Sequence, residues 1–296
     1  MNTAKRQGLV IARHRRELEI EDEDGETFTA LVLGRKLRPL AGDRVLFGLE
    51  KDGTTVVHEI LSRDSLLERI DSRGQGEGVA ANVSLIVVVI APEPAADWQL
   101  VDRYLVAAAL MDTDAALVRN KQDLANNELD SRADTYREIG YKVVSTSTKT
   151  RQGLDTLANV LNGQRSVLVG QSGVGKSSLI NSLLNREAQA VGELSERRAL
   201  GRHTTTAAML YRLPGGGELI DSPGVRRYAP KIADPTELGF GFIEFRPYLG
   251  QCRFNDCGHS IEPDCAVIAA VQAGSIQRAR YQSYLALSET LARLRD

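Results

Sequence analysis

The chain has 296 residues, 42% of them apolar and 26% charged, the balance of a globular protein; a mostly disordered chain, a collagen and a coiled coil are excluded. At roughly 100–200 residues per domain, this length predicts two or three domains. Lys and Arg number 37 against 39 Asp and Glu, a net charge of −2, so nucleic-acid binding would have to come from local patches. The longest apolar run, Leu85 to Pro92, is far short of the roughly 20 residues that span a bilayer. The basic N-terminus has no apolar segment of the kind a signal peptide carries, so a cytoplasmic protein without membrane contact is expected.

In chain order, residues 1–72 read as a small β-barrel of the OB type. Short strands are expected at Leu9–Ala12, Leu18–Glu21, Thr27–Leu33, Arg44–Leu49 and Thr55–Leu61, separated by turn formers such as Asp24-Gly25 and Asp52-Gly53. Charge is segregated here. Lys5, Arg6, Arg13, Arg15 and Arg16 precede the acidic run Glu17, Glu19, Glu21, Asp22, Glu23, Asp24 and Glu26, and Arg35, Lys36 and Arg38 follow. This pattern fits either a solvated strand face or a basic face for nucleic acid. Residues 71–82, with Gly74, Gly76 and Gly78, read as a flexible linker.

Residues 73–234 alternate strand-length apolar runs with helical segments: Leu85–Ile90, Leu100–Met111, Ala115–Arg119, Ser131–Ile139, Lys142–Ser145, Leu154–Leu161, Ser166–Val169 and Ser177–Leu184. Such alternation predicts an α/β unit on a parallel sheet covered on both faces. Residues 235–296 differ again: a Cys/His cluster, then a helical tail from about Gly274.

Between an expected strand and an expected helix stands Gly170-Gln171-Ser172-Gly173-Val174-Gly175-Lys176-Ser177-Ser178, a G-x-x-x-x-G-K-[ST] phosphate loop. Its glycines let consecutive N–H groups point at phosphate oxygens, and the helix start adds positive partial charge. Lys176 would reach the β and γ phosphates and Ser177 would ligate Mg²⁺. Asn120-Lys121-Gln122-Asp123 closes the strand Ala115–Arg119. There Asp123 could accept the N1–H and N2–H₂ of guanine, a donor pair adenine lacks. Asn120 could address the O6/N7 edge, and Lys121 could lay its stem along the base. Beside a phosphate loop, this motif selects GTP over ATP. Ser145-Thr146-Ser147 is either backbone support for the guanine O6 or a simple turn.

Asp221-Ser222-Pro223-Gly224 fits D-x-x-G, in which Asp221 holds the Mg²⁺ shell and the Gly224 N–H senses the γ-phosphate. Upstream lies Gly201-Arg202-His203-Thr204-Thr205-Thr206, where Thr204 or Thr205 could close onto Mg²⁺. The base motif precedes the phosphate loop, the reverse of most GTPases, which implies a circular permutation. The permutation also makes the Asp221–Gly224 switch lead straight into the C-terminal unit. The residue after Gly224 is Val225, which cannot orient water as the Gln of Ras-like enzymes does. His203 is the candidate within the chain, either for that role or as a surface residue of the switch, and slow intrinsic turnover is expected.

All three Cys lie in the spacing Cys252-(x4)-Cys257-x-His259-(x5)-Cys265. A closed Cys₃His set predicts one structural Zn²⁺ rather than a catalytic one, against the alternative of free buried thiols. Gly258 and Asn255-Asp256 are expected to supply the tight turns. His14 and His58 show no partners in sequence and read as surface residues.

On the phosphate loop, Gly201–Thr206, Asp221–Arg226 and the Cys₃His set, the chain resembles the circularly permuted bacterial GTPases that act on the small ribosomal subunit, the RsgA (YjeQ) family, over nearly its whole length. The resemblance implies a late maturation factor of the 30S subunit that contacts 16S rRNA, cycles between GTP and GDP and is stimulated by the subunit. It favours His203 as the water-orienting residue. A monomer is expected. Gly173 stands where potassium-activated GTPases place Asn, so no strong K⁺ site is expected, and Ser84 replaces an Asp usual in the family. Two other classes are a GTP-regulated RNA chaperone, separated by whether 30S subunits raise turnover, and a metal-delivery NTPase, disfavoured by the compact four-ligand set.

Overall fold

The computed structural model describes residues 5–14, 17–33, 37–70, 75–184, 208–221, 228–232 and 235–293. Strands β1 (Arg6–His14), β2 (Glu17–Asp22), β3 (Thr27–Val32), β4 (Arg44–Leu49) and β5 (Thr55–Ile60) form the expected barrel. Antiparallel pairs β1–β2, β2–β3, β4–β5 and β1–β4, with a parallel β3–β5 pair, close it. Alternation sends Val10, Leu18, Ile20, Ala30, Val45, Phe47 and Val57 inward, where they pack into one apolar core. The Asp22 carboxylate accepts the N–H of Asp24 and of Glu26 and so closes the first hairpin turn. Of the basic residues, Arg6 lies 3.5 Å from Asp22 and Arg13 donates to the Pro39 carbonyl. Arg15, Arg16, Arg35 and Lys36 lie outside the described residues. The two histidines do have neighbours: His14 is 3.6 Å from Glu19 and His58 is 3.8 Å from Glu50.

The expected linker is in part a strand. β6 (Leu66–Ile70) and β7 (Gly76–Ala81) pair as an antiparallel two-stranded sheet, so residues 76–81 are ordered structure. Gly76 and Gly78 serve close approach rather than flexibility: a Cβ on Gly78 would stand 2.4 Å from Leu40 Cδ1. The hairpin also grips the chain that follows the D-x-x-G segment. Ile70 N–H donates to Ala229 O, Tyr228 Oη donates to Glu68 O, and Tyr228 stacks on Tyr104 with ring centroids 4.1 Å apart.

The α/β unit runs β8 (Leu85–Ile90), α1 (Trp98–Leu110), β9 (Asp114–Arg119), α2 (Asn127–Ile139), β10 (Lys142–Ser145), α3 (Leu154–Leu161), β11 (Arg165–Val169), α4 (Lys176–Leu184), β12 (Met209–Arg212) and β13 (Glu218–Asp221). All six residues of β8 are buried, as a central strand covered on both faces requires. Sheet order is β10-β9-β8-β11-β13-β12, parallel except for β12. The chain enters at β8, moves outward to β10, then returns to β11 on the other side of β8. That reversal puts a topological switch point between β8 and β11, where open α/β sheets bind ligands. Ser84, at the foot of β8, bridges the strands there: its hydroxyl donates to Gln164 Oε1 and accepts the Arg165 N–H.

The barrel continues this sheet through the outer edge of β12, which meets β1 at Ala12–Met209. Arg212 on β12 binds Glu21 of the barrel and lies 3.4 Å from Glu218. Arg165 donates to Gly42 O at 2.9 Å.

The C-terminal region carries α5 (Leu238–Gly241), α6 (Ala266–Gln272) and α7 (Arg278–Arg293). Phe242, Phe245, Val267, Tyr284, Leu287 and Leu291 build its core against Val106 of α1. The junction also holds a buried charge cluster. Arg280, 2% exposed, binds Asp102 of α1 and both carboxylate oxygens of Glu244, at 2.6 and 3.1 Å. Tyr136 of α2 donates to Asp102 at 2.6 Å, and the guanidinium sits over the Phe242 ring, 4.7 Å from its centroid. None of the described helices is long and apolar enough to cross a membrane.

Candidate nucleotide site and metal centre

Gly170 to Gly175 link β11 to α4 and turn back on themselves, with φ of 133°, 86° and 96° at Gly170, Gly173 and Gly175. A Cβ on Gly175 would stand 2.3 Å from Asn120 Nδ2, so the phosphate loop and the base motif touch only because that residue is glycine. Val174 is fully buried, whereas Ser172, Ser177 and Ser178 are exposed at the start of α4. Gln171 accepts the Asp97 N–H, and Asp97 in turn caps α1 through the Leu100 N–H.

Lys176 is buried and folds back so that its ammonium donates to the carbonyls of Gly170 and Gln171, at 2.9 and 2.8 Å. Burial pushes its pKa down, and the facing Asp221 carboxylate opposes that shift. Asp221, at the end of β13, shows the mirror effect: burial raises its pKa and Lys176 pulls it back. A phosphate against Lys176 would relieve the first cost and a cation against Asp221 the second. Gly224 and His203, Thr204 and Thr205 lie outside the described residues.

At the base end, β9 delivers Asn120 and its loop. Asn120 is 1% exposed, and its amide is already engaged: Nδ2 donates to Val174 O at 2.9 Å, and Oδ1 accepts from the Thr146 hydroxyl at 3.1 Å. These bonds latch the base loop to the phosphate loop. Lys121, at φ 56°, donates to the Glu93 and Gly173 carbonyls at 2.6 and 2.9 Å, which ties its loop to the phosphate loop. Asp123 is exposed and accepts from the Ser147 hydroxyl at 2.6 Å. That bond, with smaller help from Lys149 and Arg119, holds its carboxyl below the usual 3.8. Ser145 ends β10 and the turn follows at 148–150; Thr146 N–H donates to Arg119 O and Ser147 N–H to Gln152 O.

Sequence reasoning missed three contributors: Ser147 as the hydroxyl that orients Asp123, the Gln171–Asp97 link, and Arg119. The first carried a signal, a hydroxyl run at a strand end. Arg119 carried none, since a cation ending an apolar strand reads as solvated.

In the C-terminal region, Cys252, Cys257, His259 and Cys265 present ligand atoms that all lie within 4.8 Å of one another. Cys252 and Cys265 sulfurs are 3.7 Å apart, and His259 Nδ1 is 3.5 and 3.4 Å from them. Zinc–sulfur bonds of about 2.3 Å in a tetrahedron give edges of about 3.8 Å, so the donor set fits a four-coordinate Zn²⁺. Without a cation, burial pushes the Cys257 thiol up, and bound metal reverses that cost. The left-handed residues are His259 and Asp264, at φ 54° and 56°, rather than Gly258. What holds that turn is Glu262, whose carboxylate accepts from the N–H groups of Gly258, Ser260 and Ile261. Tyr281 and Tyr284 of α7 donate to the His259 and Gly258 carbonyls, each at 2.8 Å.

The family model described as RsgA GTPase matches residues 60–230. A "Small ribosomal subunit biogenesis GTPase RsgA" of Hahella chejuensis is 42% identical over 98% of this chain and 85% of its own. One of Chromohalobacter salexigens is 47% identical over 95% and 84%. The chain belongs to the RsgA GTPase family. The solved YjeQ of Thermotoga maritima superposes with a TM-score of 0.75 at 31% identity, covering 98% of this chain and 99% of that one. YloQ, described as a circularly permuted GTPase, superposes at 0.70 with 27% identity, covering 98% and 96%. This RsgA family member is a GTP hydrolase on a circularly permuted sheet, in which β8 to β10 and their base motif come before β11 and its phosphate loop. As in other GTPases, Mg²⁺ accompanies GTP, and the Cys₃His cluster is compatible with one zinc ion.

Proposed function

We propose that the protein hydrolyses GTP during late maturation of the small ribosomal subunit in the cytoplasm, binding 16S rRNA as a monomer and turning over faster on the 30S particle. The observation that carries this reading is coverage. Relatives named for small-subunit biogenesis align along 95–98% of the chain, so barrel and metal cluster accompany the nucleotide site. We read three units, residues 1–72, 73–234 and 235–296, with the β6–β7 hairpin tying the first two together.

Asp123 reads guanine N1–H and N2–H₂, with Lys121 along the base and Asn120 holding the loop. The N–H groups of residues 170–178 cradle the phosphates, and Lys176 leaves its loop carbonyls to meet the β and γ oxygens. Mg²⁺, when bound with GTP, neutralises developing phosphate charge; Ser177, Asp221 and one of Thr204 and Thr205 would hold it. His203 orients the water that attacks the γ-phosphorus, the bond to the β–γ bridging oxygen breaks, and GDP and phosphate result. Gly224 registers the γ-phosphate. The zinc is structural.

The test is single-turnover hydrolysis with and without saturating 30S subunits. Stimulation is expected, and His203→Ala should keep GTP affinity while losing about 10²–10⁴-fold of the stimulated rate. No response to 30S would replace this reading by a chaperone whose hydrolysis is incidental. Full stimulation of His203→Ala would assign the water-orienting group to the particle.

A further inference from the structure

We infer that Arg119 is a positioning residue for guanine selection; this rests on the reading of Asp123 as the base-reading carboxylate. Arg119 is the last residue of β9 and is 4% exposed. Its guanidinium turns under the base loop. Nε lies 2.6 Å from Asp130 Oδ1, in the first turn of α2, and Nη2 donates to Leu124 O at 3.0 Å. A buried guanidinium costs desolvation that an apolar residue would avoid, so its placement calls for a task.

The loop has two halves around Asp123. The upstream half is fixed to the sheet and phosphate loop: Asn120 by Val174 O and Thr146, Lys121 by Glu93 O and Gly173 O, and Gln122 N–H by Thr146 O. The downstream half begins at Leu124, whose N–H closes a turn onto Lys121 O and whose carbonyl takes the Arg119 bond. It ends at Asn126, which caps α2 through the Leu129 N–H. Arg119 therefore pins the residue next to Asp123 and the helix beyond it at once. The Ser147 hydrogen bond is the main cause that favours the ionised Asp123, and the Arg119 charge adds the smallest of the favourable contributions. Reading N1–H and N2–H₂ together needs both carboxylate oxygens in the base plane, so a small swing of the downstream half loses one bond before the other.

Inosine diphosphate, which lacks the 2-amino group, separates positioning from mere stability. Titrations of the full chain with GDP and IDP are compared for wild type, Arg119→Met, Arg119→Lys and Asp130→Asn. Arg119→Met should lower GDP affinity about tenfold, one charge-assisted bond's worth, and compress the GDP:IDP ratio, with IDP affinity little changed. Arg119→Lys should recover part of the ratio. Asp130→Asn, which keeps the Leu124 bond, should compress it less and decides the question if Arg119→Met does not fold. Equal loss for GDP and IDP, or no loss, overturns the proposal. Asp123→Asn with XDP isolates the underlying reading: a switch toward xanthine with an unchanged ratio in the Arg119 variants sinks this inference alone, whereas no switch sinks the assignment of Asp123.

Discussion

The nucleotide site and the metal centre are built by opposite means. The first draws residues from positions 93 to 221 and holds them with parallel strands, glycine contacts and loop-to-loop bonds such as Asn120–Val174 and Lys121–Gly173. Its geometry is a property of the sheet. The second takes its four ligands from 14 consecutive residues, with no strand among them, and its own bonds are a few turns around Glu262 and two tyrosines. Its thiols sit together at an energetic cost that a cation removes. A fold-held site should survive loss of its ligand; an ion-held one should not.

Cys257→Ser should break the metal centre outright. Structural zinc contributes about 10–16 kcal/mol in zinc-finger peptides, so losing one ligand should remove stoichiometric metal and leave the 249–265 loop open to protease. Metal analysis and limited proteolysis check this, and GDP affinity should be unchanged. A large loss of GDP binding would mean the two sites are one cooperative unit.

Arg280 is where the comparison could fail, because it fastens α7, which grips the metal loop, to α1, which starts against the phosphate loop through Asp97 and Gln171. Arg280→Met leaves the buried Asp102 and the part-buried Glu244 without their cation, a loss of about 3–5 kcal/mol. Urea unfolding should show it as a lower midpoint with both ligands still bound in buffer. An unchanged midpoint would mean the junction rests on Phe242 and Val106 packing alone.

Lys176→Ala probes the fold-held site. Taking away a donor aimed at the transferring phosphate should slow hydrolysis by about 10²–10³-fold or more. Zinc content and overall melting should stay close to wild type, since among the described residues the Lys176 hydrogen bonds go to its own loop carbonyls. Metal loss in this variant would contradict the separation of the two sites.

This difference also governs what could be read from sequence. The metal set was visible because its chemistry is local. The phosphate loop and the Asn120–Asp123 motif were visible because such loops carry fixed residue types, and β8 because a strand buried on both faces is apolar throughout. Long-range fits were not. Gly76 and Gly78 look like linker residues until Leu40 and Lys231 are seen against them. Asn120 offers an amide edge in sequence, and only the fold shows that it also binds Val174 and Thr146. Arg119 and Arg280 carry charges that sequence assigns to solvent, because their carboxylates come from other elements.

The smallest effect concerns the hydrogen bond between Ser147 and the titrating Asp123. On the proposed reading guanine needs Asp123 ionised, so affinity is expected above its pKa and lost as pH falls through it. The Ser147 hydroxyl lowers that pKa from 3.8, which shifts the loss to more acid solution. Ser147→Ala removes the largest cause of the lowering, so the onset of the loss should move up toward the ordinary carboxylate value. GDP titrations between about pH 5 and 3.5 should show the variant weakening first, while the two proteins bind nearly alike at neutral pH. IDP serves as the reference, because its phosphate contacts are the same and one of its two bonds to Asp123 is absent; circular dichroism at each pH confirms the fold. Superimposable pH profiles would mean that Ser147 only closes its turn onto Thr150, and that the carboxylate is set by the loop itself.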